Sequence, residues 1–320
     1  MNSCKLATWN DEDEPPRDPE ALWEYRKQLE KRWEYKDGSE HDFSNLRSAL
    51  AAKAIEYSLR LTGLYTRGFQ NATRPELADI ALYYPELPMG LDGLQILMLS
   101  DLHLSANYPQ FAESVRTMVA GLKVDLCLMP GDYRFGHHGK ESHIYPQLEA
   151  ILSGITARRG VYGVLGNHDF SYMAPHLQAL GIHILFNEGI AILFGDDLLW
   201  LGGCDDPHRF KTDHLEAALG EAPKDAFKTL LIHTPCRVEE AHALGVDLYL
   251  CGHTHGGQIR FPGIGALKMN ARCRRRFTYR QWRTGTMQGY TSPGLGTTDV
   301  PVRFLCPPEA QLITIKRGNE

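Results

Sequence analysis

Seven polar residues stand at the places where short apolar runs of the chain stop. Asp101 and His103 follow Leu94–Leu99, Asp132 follows Val124–Met129, and Asn167 follows Gly160–Leu165. His233 closes Thr229–His233, and His253 and His255 follow Leu248–Cys251. Each run has the length and composition of a buried strand, so successive strand ends each deliver a carboxylate, an amide oxygen or an imidazole. Oxygen and nitrogen donors without thiolate suit Mn, Fe, Zn or Ni, and are too rich in nitrogen for a Ca site or a purely Mg site. Two such ions about 3.5–4 Å apart would neutralise the oxygens of a phosphate ester and generate hydroxide near neutral pH. Gly131, Gly166 and Gly252 precede ligands and are expected to let the chain turn sharply off its strands. His253 and His255, two residues apart, are placed to face different ions from one loop.

The elements that must position these residues alternate in type. Besides the runs above, strands are expected near Ile182–Phe186, Ala191–Phe194, Leu198–Gly202 and Gln311–Ile315. Helices are expected over Pro109–Leu122, Ile144–Ser153, Ala174–Leu180, Thr212–Leu219 and Val238–Leu244. Strands alternating with helices mean an α/β architecture, whose reactive groups sit beyond the carboxyl ends of the strands. Ahead of this lies a different region. Residues 1–20 form an acidic tail, residues 21–36 a surface helix, and a second helix starts at Ser44 and ends at Gly68. Its apolar residues Leu46, Leu50, Ala54, Tyr57, Leu61 and Leu64 fall near helical spacing, which predicts an intramolecular packing face. Arg47, Lys53, Arg60 and Arg67 leave a membrane surface as the alternative. The chain thus divides into a helical extension, 1–75, and one catalytic-sized domain, 76–320.

Composition narrows the class. With 320 residues, a net charge of −5 and a pI near 6.3, the chain has no overall basic field for nucleic acid. Its seven scattered cysteines form no Cys-x-x-Cys pair, which argues for a reducing compartment and against a sulfur-ligated zinc. The N-terminus lacks a basic start and an apolar stretch, and no window of 18 apolar residues occurs. A cytoplasmic protein is expected, with peripheral membrane contact as the alternative.

Asp101-Leu102-His103, Gly131-Asp132, Gly166-Asn167-His168-Asp169, the isolated His233 and Gly252-His253-Thr254-His255-Gly256-Gly257-Gln258 together resemble the calcineurin-like metallophosphoesterase superfamily. The final motif and the opening Pro88-Met89-Gly90-Leu91-Asp92-Gly93-Leu94 are most similar to a bacterial branch. The likeness covers roughly residues 78–317 and implies a four-layer α/β/β/α sandwich. It implies that Asp101, His103 and His255 hold one metal, that Asn167, His233 and His253 hold a second, and that Asp132 bridges both. It also implies that His168 serves the leaving-group oxygen as general acid or stabiliser. Many members carry a second Asp three residues after the bridging one, where this chain has Phe135. Orientation of His168 must therefore come from Asp169 or a backbone carbonyl.

What the resemblance implies is hydrolysis of a phosphodiester by a metal-bridging hydroxide. Pyrophosphohydrolysis of a nucleotide-diphospho-lipid such as UDP-diacylglucosamine is the first alternative, and a non-catalytic scaffold the minor one. Arg272–Arg283 carries six arginines among Phe277, Tyr279 and Trp282. Arg274, Arg275 and Arg276 are candidate contacts for a polyanionic substrate or an anionic membrane surface, with a solvated loop as the plain reading. Asp205 and Asp206 are pocket candidates beside a plain turn. His137 and His138 read as a solvated loop, Cys251 as a core strand residue, and Arg134–Tyr145, Asp205–Asp213 and Gly263–Gly296 as cap loops.

Overall fold

The computed structural model describes residues 15–37, 43–136, 141–266, 269 and 271–319, with side chains 33–37 and 43–49 outside that description. The His137–His138 pair and residues 1–14 fall outside the described residues. Three helices come first, α1 (Pro19–Asp37), α2 (Phe43–Leu61) and α3 (Leu64–Ala72). Then follow β1 (Glu76–Tyr84), β2 (Gln95–Met98), α4 (Pro109–Val119), β3 (Leu122–Val124), β4 (Leu126–Met129), α5 (Ile144–Leu152) and β5 (Ile155–Ala157). Next are β6 (Val161–Gly163), α6 (Ala174–Ala179), β7 (Ile182–Ile184), β8 (Glu188–Phe194), β9 (Asp197–Gly203), α7 (Leu215–Leu219) and β10 (Phe227–Leu231). The chain closes with α8 (Val238–Ala243), β11 (Leu248–Cys251), β12 (Arg260–Phe261), β13 (Gly265–Ala266), β14 (Arg280–Thr284), β15 (Met287–Thr291) and β16 (Glu309–Arg317).

Two six-stranded sheets carry the fold, in the orders β1-β16-β2-β4-β6-β7 and β14-β15-β11-β10-β9-β8. In β2, Ile96 and Met98 point one way and Leu97 the other, as a strand buried on both faces requires. Ile96 and Met98 join Leu128, Leu201, Leu231 and Leu250 in a core between the sheets. Leu97 packs outward against Ala112 and Val115 of α4 and Leu148 of α5. The outer face of the second sheet packs Leu230 and Tyr249 against Leu215, Ala218 and Val238 of α7 and α8. The result is the expected α/β/β/α sandwich with a helical extension. Strands β2, β4 and β6 are parallel, as are β10 and β11, so the strand ends that carry the polar residues open on one edge.

Several expectations are corrected. Asp18 accepts the amide of Ala21 at 2.9 Å and Pro19 opens α1, so order begins before the expected end of the acidic tail. Gly68 does not end a helix. The break falls at Gly63, whose φ of +71° lies in the left-handed region. Gly68 instead sits inside α3, where a Cβ would lie 2.6 Å from the Phe304 ring. The apolar stripe of α2 is not an internal packing face, since Leu50, Tyr57 and Leu61 are 57%, 65% and 70% exposed. Part of the expected cap loop, 280–291, is the hairpin β14–β15 that completes the second sheet; Gly289 leaves room there for the Trp282 ring across the pair. β1 was not anticipated. It pairs in parallel with β16 along its whole length.

Candidate metal centre

The strand ends are tied to one another before any side chain is considered. The amide of Asp101 donates to Gly131, that of His103 to Asp132, and that of Gly252 to His233. Five of the candidate ligands take left-handed backbone: Asp101, His103, Asp132, His253 and His255, with φ between 42° and 69°. Such a residue costs of order 1–3 kcal/mol each and persists where surrounding bonds over-determine it, as these amide bonds do. The glycines serve two purposes. Gly131 has the left-handed φ of a sharp turn, +98°. Gly166 and Gly252 are not left-handed but are needed for close approach, because a Cβ would come within 2.3 Å of the Asp132 carboxylate and 2.0 Å of the Asp101 carboxylate, respectively.

All seven side chains converge, and all are buried. His103 Nε2 lies 3.0 Å from His255 Nε2 and 3.4 Å from Asp132 Oδ2. His255 Nε2 lies 3.5 Å from Asp101 Oδ1. On the other side of Asp132, Oδ2 is 3.2 Å from His233 Nε2, and Asn167 Oδ1 is 3.0 Å from His233 Nε2 and 2.7 Å from His253 Nδ1. Asp101–His103–His255 and Asp132–His233–His253 each place one ligand atom per residue within 4.8 Å of the others, and His103–Asp132–His168 forms a third such group.

The donor set fits divalent cations on a local criterion. His103 Nδ1 faces the Arg134 carbonyl at 3.1 Å and His233 Nδ1 the Pro130 carbonyl at 2.8 Å. A carbonyl only accepts, so both Nδ1 atoms carry a proton and both Nε2 atoms point inward, where a metal would take the place of any Nε2 proton. Electrostatics agree. Burial acts to raise Asp132, yet His233, His168 and His103 hold its carboxyl well below the usual range. Burial acts to lower His233, and Asp132 and Asp101 outweigh it, lifting the imidazole to about 10. Burial, the neighbouring His103 and Arg303 keep His255 well below its ordinary value. Asp132 thus carries its negative charge among imidazoles, an electrostatic setting that suits a cation.

His168 stands at the rim, its Nε2 4.0 Å from Asp132 Oδ2 and its amide donating to Asp132 Oδ1 at 2.8 Å. Its Nδ1 faces the Gly136 carbonyl at 3.2 Å, so of the two anticipated orienting groups it is the backbone carbonyl that touches the ring. Asp169 works elsewhere. Its carboxylate accepts the amides of Asp132, Tyr133 and Gly166 at 2.7–2.9 Å, binding the Asp132 turn to the Asn167 turn. Burial, with repulsion from Asp132, lifts its pKa to about 7.

Three contributors were not anticipated. Arg26 of α1 is fully buried and gives Nη1 to both oxygens of Asp205, Nε to Glu30, and Nη2 to the Asp169 carbonyl. Its guanidinium lies 3.6 Å over the Phe210 ring, and Glu30 in turn accepts the amide and hydroxyl of Ser171. Nothing in the local sequence of α1 distinguishes Arg26 from its solvated neighbours Lys27 and Lys31. Arg303, also fully buried, donates to the carbonyls of Pro293, Gly294 and Cys306 and lies 3.3 Å from His255 Nδ1. A lone cation inside Pro301-Val302-Arg303-Phe304-Leu305-Cys306 was the available signal. The His208 ring lies tilted against that of His253, 4.3 Å between centroids.

The remaining candidates are placed as follows. Asp206 is buried and its carboxylate caps the amides of His208, Arg209 and Phe210, so it shapes the 205–213 loop rather than facing a ligand. Asp205 is buried against Arg26 and the Thr212 hydroxyl. Arg274, Arg275 and Arg276 line an exposed turn; Arg274 faces Glu239, Arg275 holds the Ala266 carbonyl, and Arg276 reaches Thr284 and the Phe277 ring. Cys251 lies in β11 within the outer core.

A sandwich of two sheets with Asp, Asn and His converging at one edge defines a metal-dependent hydrolase of phosphate esters. The family model for calcineurin-like phosphoesterases matches residues 94–257, and the chain belongs to that family. It is similar to the metallophosphoesterase YkuE of Bacillus subtilis, with 29% identity over 73% of this chain and 82% of the relative. A metallophosphoesterase of Helicobacter pylori is 30% identical over 83% of this chain and 71% of its own. Phosphodiesterase YaeI of Escherichia coli is 27% identical over 69% and 82%.

Proposed function

We propose that the chain is a phosphodiesterase with a two-metal site, in which Asp101, His103 and His255 hold one divalent ion and Asn167, His233 and His253 the other. Asp132 would serve both. The observation that carries this reading is the position of Asp132 Oδ2, 3.4 Å from His103 Nε2 on one side and 3.2 Å from His233 Nε2 on the other. Bound there, two ions of the Mn, Fe, Zn or Ni class would supply Lewis acidity to the phosphoryl oxygens and acidify a water. The protein's own groups do the rest. His103 and His233 keep Nε2 inward because carbonyls hold their other nitrogens. His168, fixed through Nδ1 by Gly136, presents Nε2 at the open edge, where a proton held on it reaches the leaving oxygen. Phe135, edge-on to the His103 ring, supplies apolar wall where an acid would otherwise stand. The name of the E. coli relative supports a diester over a monoester.

A lipid-linked diphosphate is the second reading, favoured by the exposed Phe261 and Ile264 in the loop that leaves the His253–His255 turn. The test is a substrate panel with the Mn-loaded protein: p-nitrophenyl phosphate, bis-p-nitrophenyl phosphate, and a nucleotide-diphospho-lipid. Turnover of the diester above the monoester is expected. No turnover of any of them with Mn, Fe, Co, Ni or Zn would remove the enzymatic reading.

A further inference from the structure

The helical hairpin α2–α3 turns its most apolar side outward. Leu50, Ala54, Tyr57 and Leu61 recur at intervals of four, three and four, one face of a helix, and all four are exposed. The half-buried positions are Ala52, Glu56 and Leu59, on the opposite side. A row of this kind on the surface marks an interaction site, whereas single exposed leucines do not.

The hairpin is continuous with a second apolar projection. Through Gly68, α3 packs on Val302 and Phe304, the Arg303 amide donates to the Gly68 carbonyl, and the Asn71 side chain donates to the Arg303 carbonyl at 2.9 Å. Phe304 bridges to Ile259, and beyond Ile259 the β12–β13 hairpin exposes Phe261 and, at its tip, Ile264, which is 65% exposed. Leu305, beside Phe304, is 63% exposed. Among the described residues, eight of the eleven large apolar side chains that are exposed belong to these abutting segments, so exposure is concentrated rather than scattered.

Charge says what would cover them. Residues 43–74 hold five Lys or Arg and one Glu, and residues 258–283 hold eight Lys or Arg and no acid, in a chain whose net charge is −5. A second copy of this chain, docking the same patch on itself, would set positive against positive. Nucleic acid would use the cations but leave leucines and isoleucines without a role. A bilayer with anionic headgroups satisfies both, taking apolar side chains at its boundary and cations at its surface. No helix among the described residues is long and apolar enough to cross a membrane; the exposed apolar row beside cations is the pattern of a helix lying in the interface.

We propose that α2, α3 and the β12–β13 hairpin form a docking face for an anionic lipid surface, placed beside the metal centre. The face runs into the site, since Gln258 follows the His253–Gly257 turn and leads directly to Ile259 and Arg260. Docking stands apart from the hydrolytic reading; only its use, delivery of a lipid-borne phosphate ester, rests on that reading.

The experiment is flotation of the full-length protein with vesicles of phosphatidylcholine alone or with about 30 mol% phosphatidylglycerol. Binding to the anionic vesicles, weakened at about 0.5 M salt, is expected. The variant Leu50→Ser/Tyr57→Ser/Leu61→Ser should lower binding about tenfold or more, as should Phe261→Ser/Ile264→Ser, because each removes apolar insertion. Both change exposed side chains, so melting temperature and hydrolysis of soluble bis-p-nitrophenyl phosphate should stay at the wild-type level. Failure to float with anionic vesicles, or binding unchanged in both variants, overturns the proposal. So does a concentration-dependent dimer that the α2 variant abolishes, which would assign the stripe to a second copy.

Discussion

Replacing Arg26 by Met tests how the N-terminal helix is joined to the site. The guanidinium has no solvent exposure and neutralises two buried carboxylates, Asp205 at 2.6 Å and Glu30 at 2.7 Å. Met fills much of the same space, so packing over Phe210 is largely kept. What is lost is the charge. Removing one partner of a buried ion pair costs about 3–5 kcal/mol, because the remaining charge is left desolvated. Unfolding entropy of about 2 cal/mol/K per residue gives a 320-residue chain about 0.7 kcal/mol/K, so that loss lowers the melting temperature by about 4–7 °C. Calorimetry of Arg26→Met, Asp205→Asn and the double variant measures it. The double variant should be less destabilised than the sum of the singles, since Asn leaves no charge behind. Since Arg26 also holds the Asp169 carbonyl and Glu30 holds Ser171, just past His168, amides 166–171 should exchange faster in Arg26→Met than in wild type. A melting-temperature change below about 1 °C, or additive single variants, would refute the buried-clamp reasoning.

Other consequences follow from the same geometry. Asp132→Ala and His233→Ala should each abolish hydrolysis and metal retention, read by elemental analysis of purified protein, because each removes a donor from the Asp132–His233–His253 cluster. Gly252→Ala should fold yet lose metal affinity, since its Cβ would come 2.0 Å from the Asp101 carboxylate; titration calorimetry checks it, and wild-type affinity would contradict the packing described. Metal uptake should release protons near neutral pH, because the metal-free His233 holds its proton up to about 10 through Asp132 and Asp101. That folded value lies above the ordinary 6.5, so the pairing stabilises the metal-free protein fully below about pH 6.5 and the gain is lost as pH rises through about 10. Calorimetry in buffers of different ionisation enthalpy measures the released proton, and unfolding from pH 6 to 10 measures the stability slope.

The residues that meet at the strand ends were legible from the chain alone. Asp101, Asp132, Asn167, His233 and His253 each follow an apolar run, and a run buried on both faces announces itself locally by composition. The same holds for α4 to α8, whose apolar spacing and flanking glycines and prolines are local signals. Parts governed by distant partners were not legible. β1 is a strand because it finds β16 more than two hundred residues away, and Gly166 and Gly252 are glycines because of carboxylates across the site. Arg26 reads as one more solvated cation of α1 until the fold buries it on Asp205, and the stripe of α2 reads as a packing face until the fold leaves it uncovered. Which donors are present, and that strand ends carry them, follows from periodicity and composition acting within a few residues. The position of Asp132 between two clusters, the Gly136 carbonyl against the His168 ring and the apolar face left open are set by the packed fold. Those depend on three-dimensional proximity between segments that local pattern does not encode.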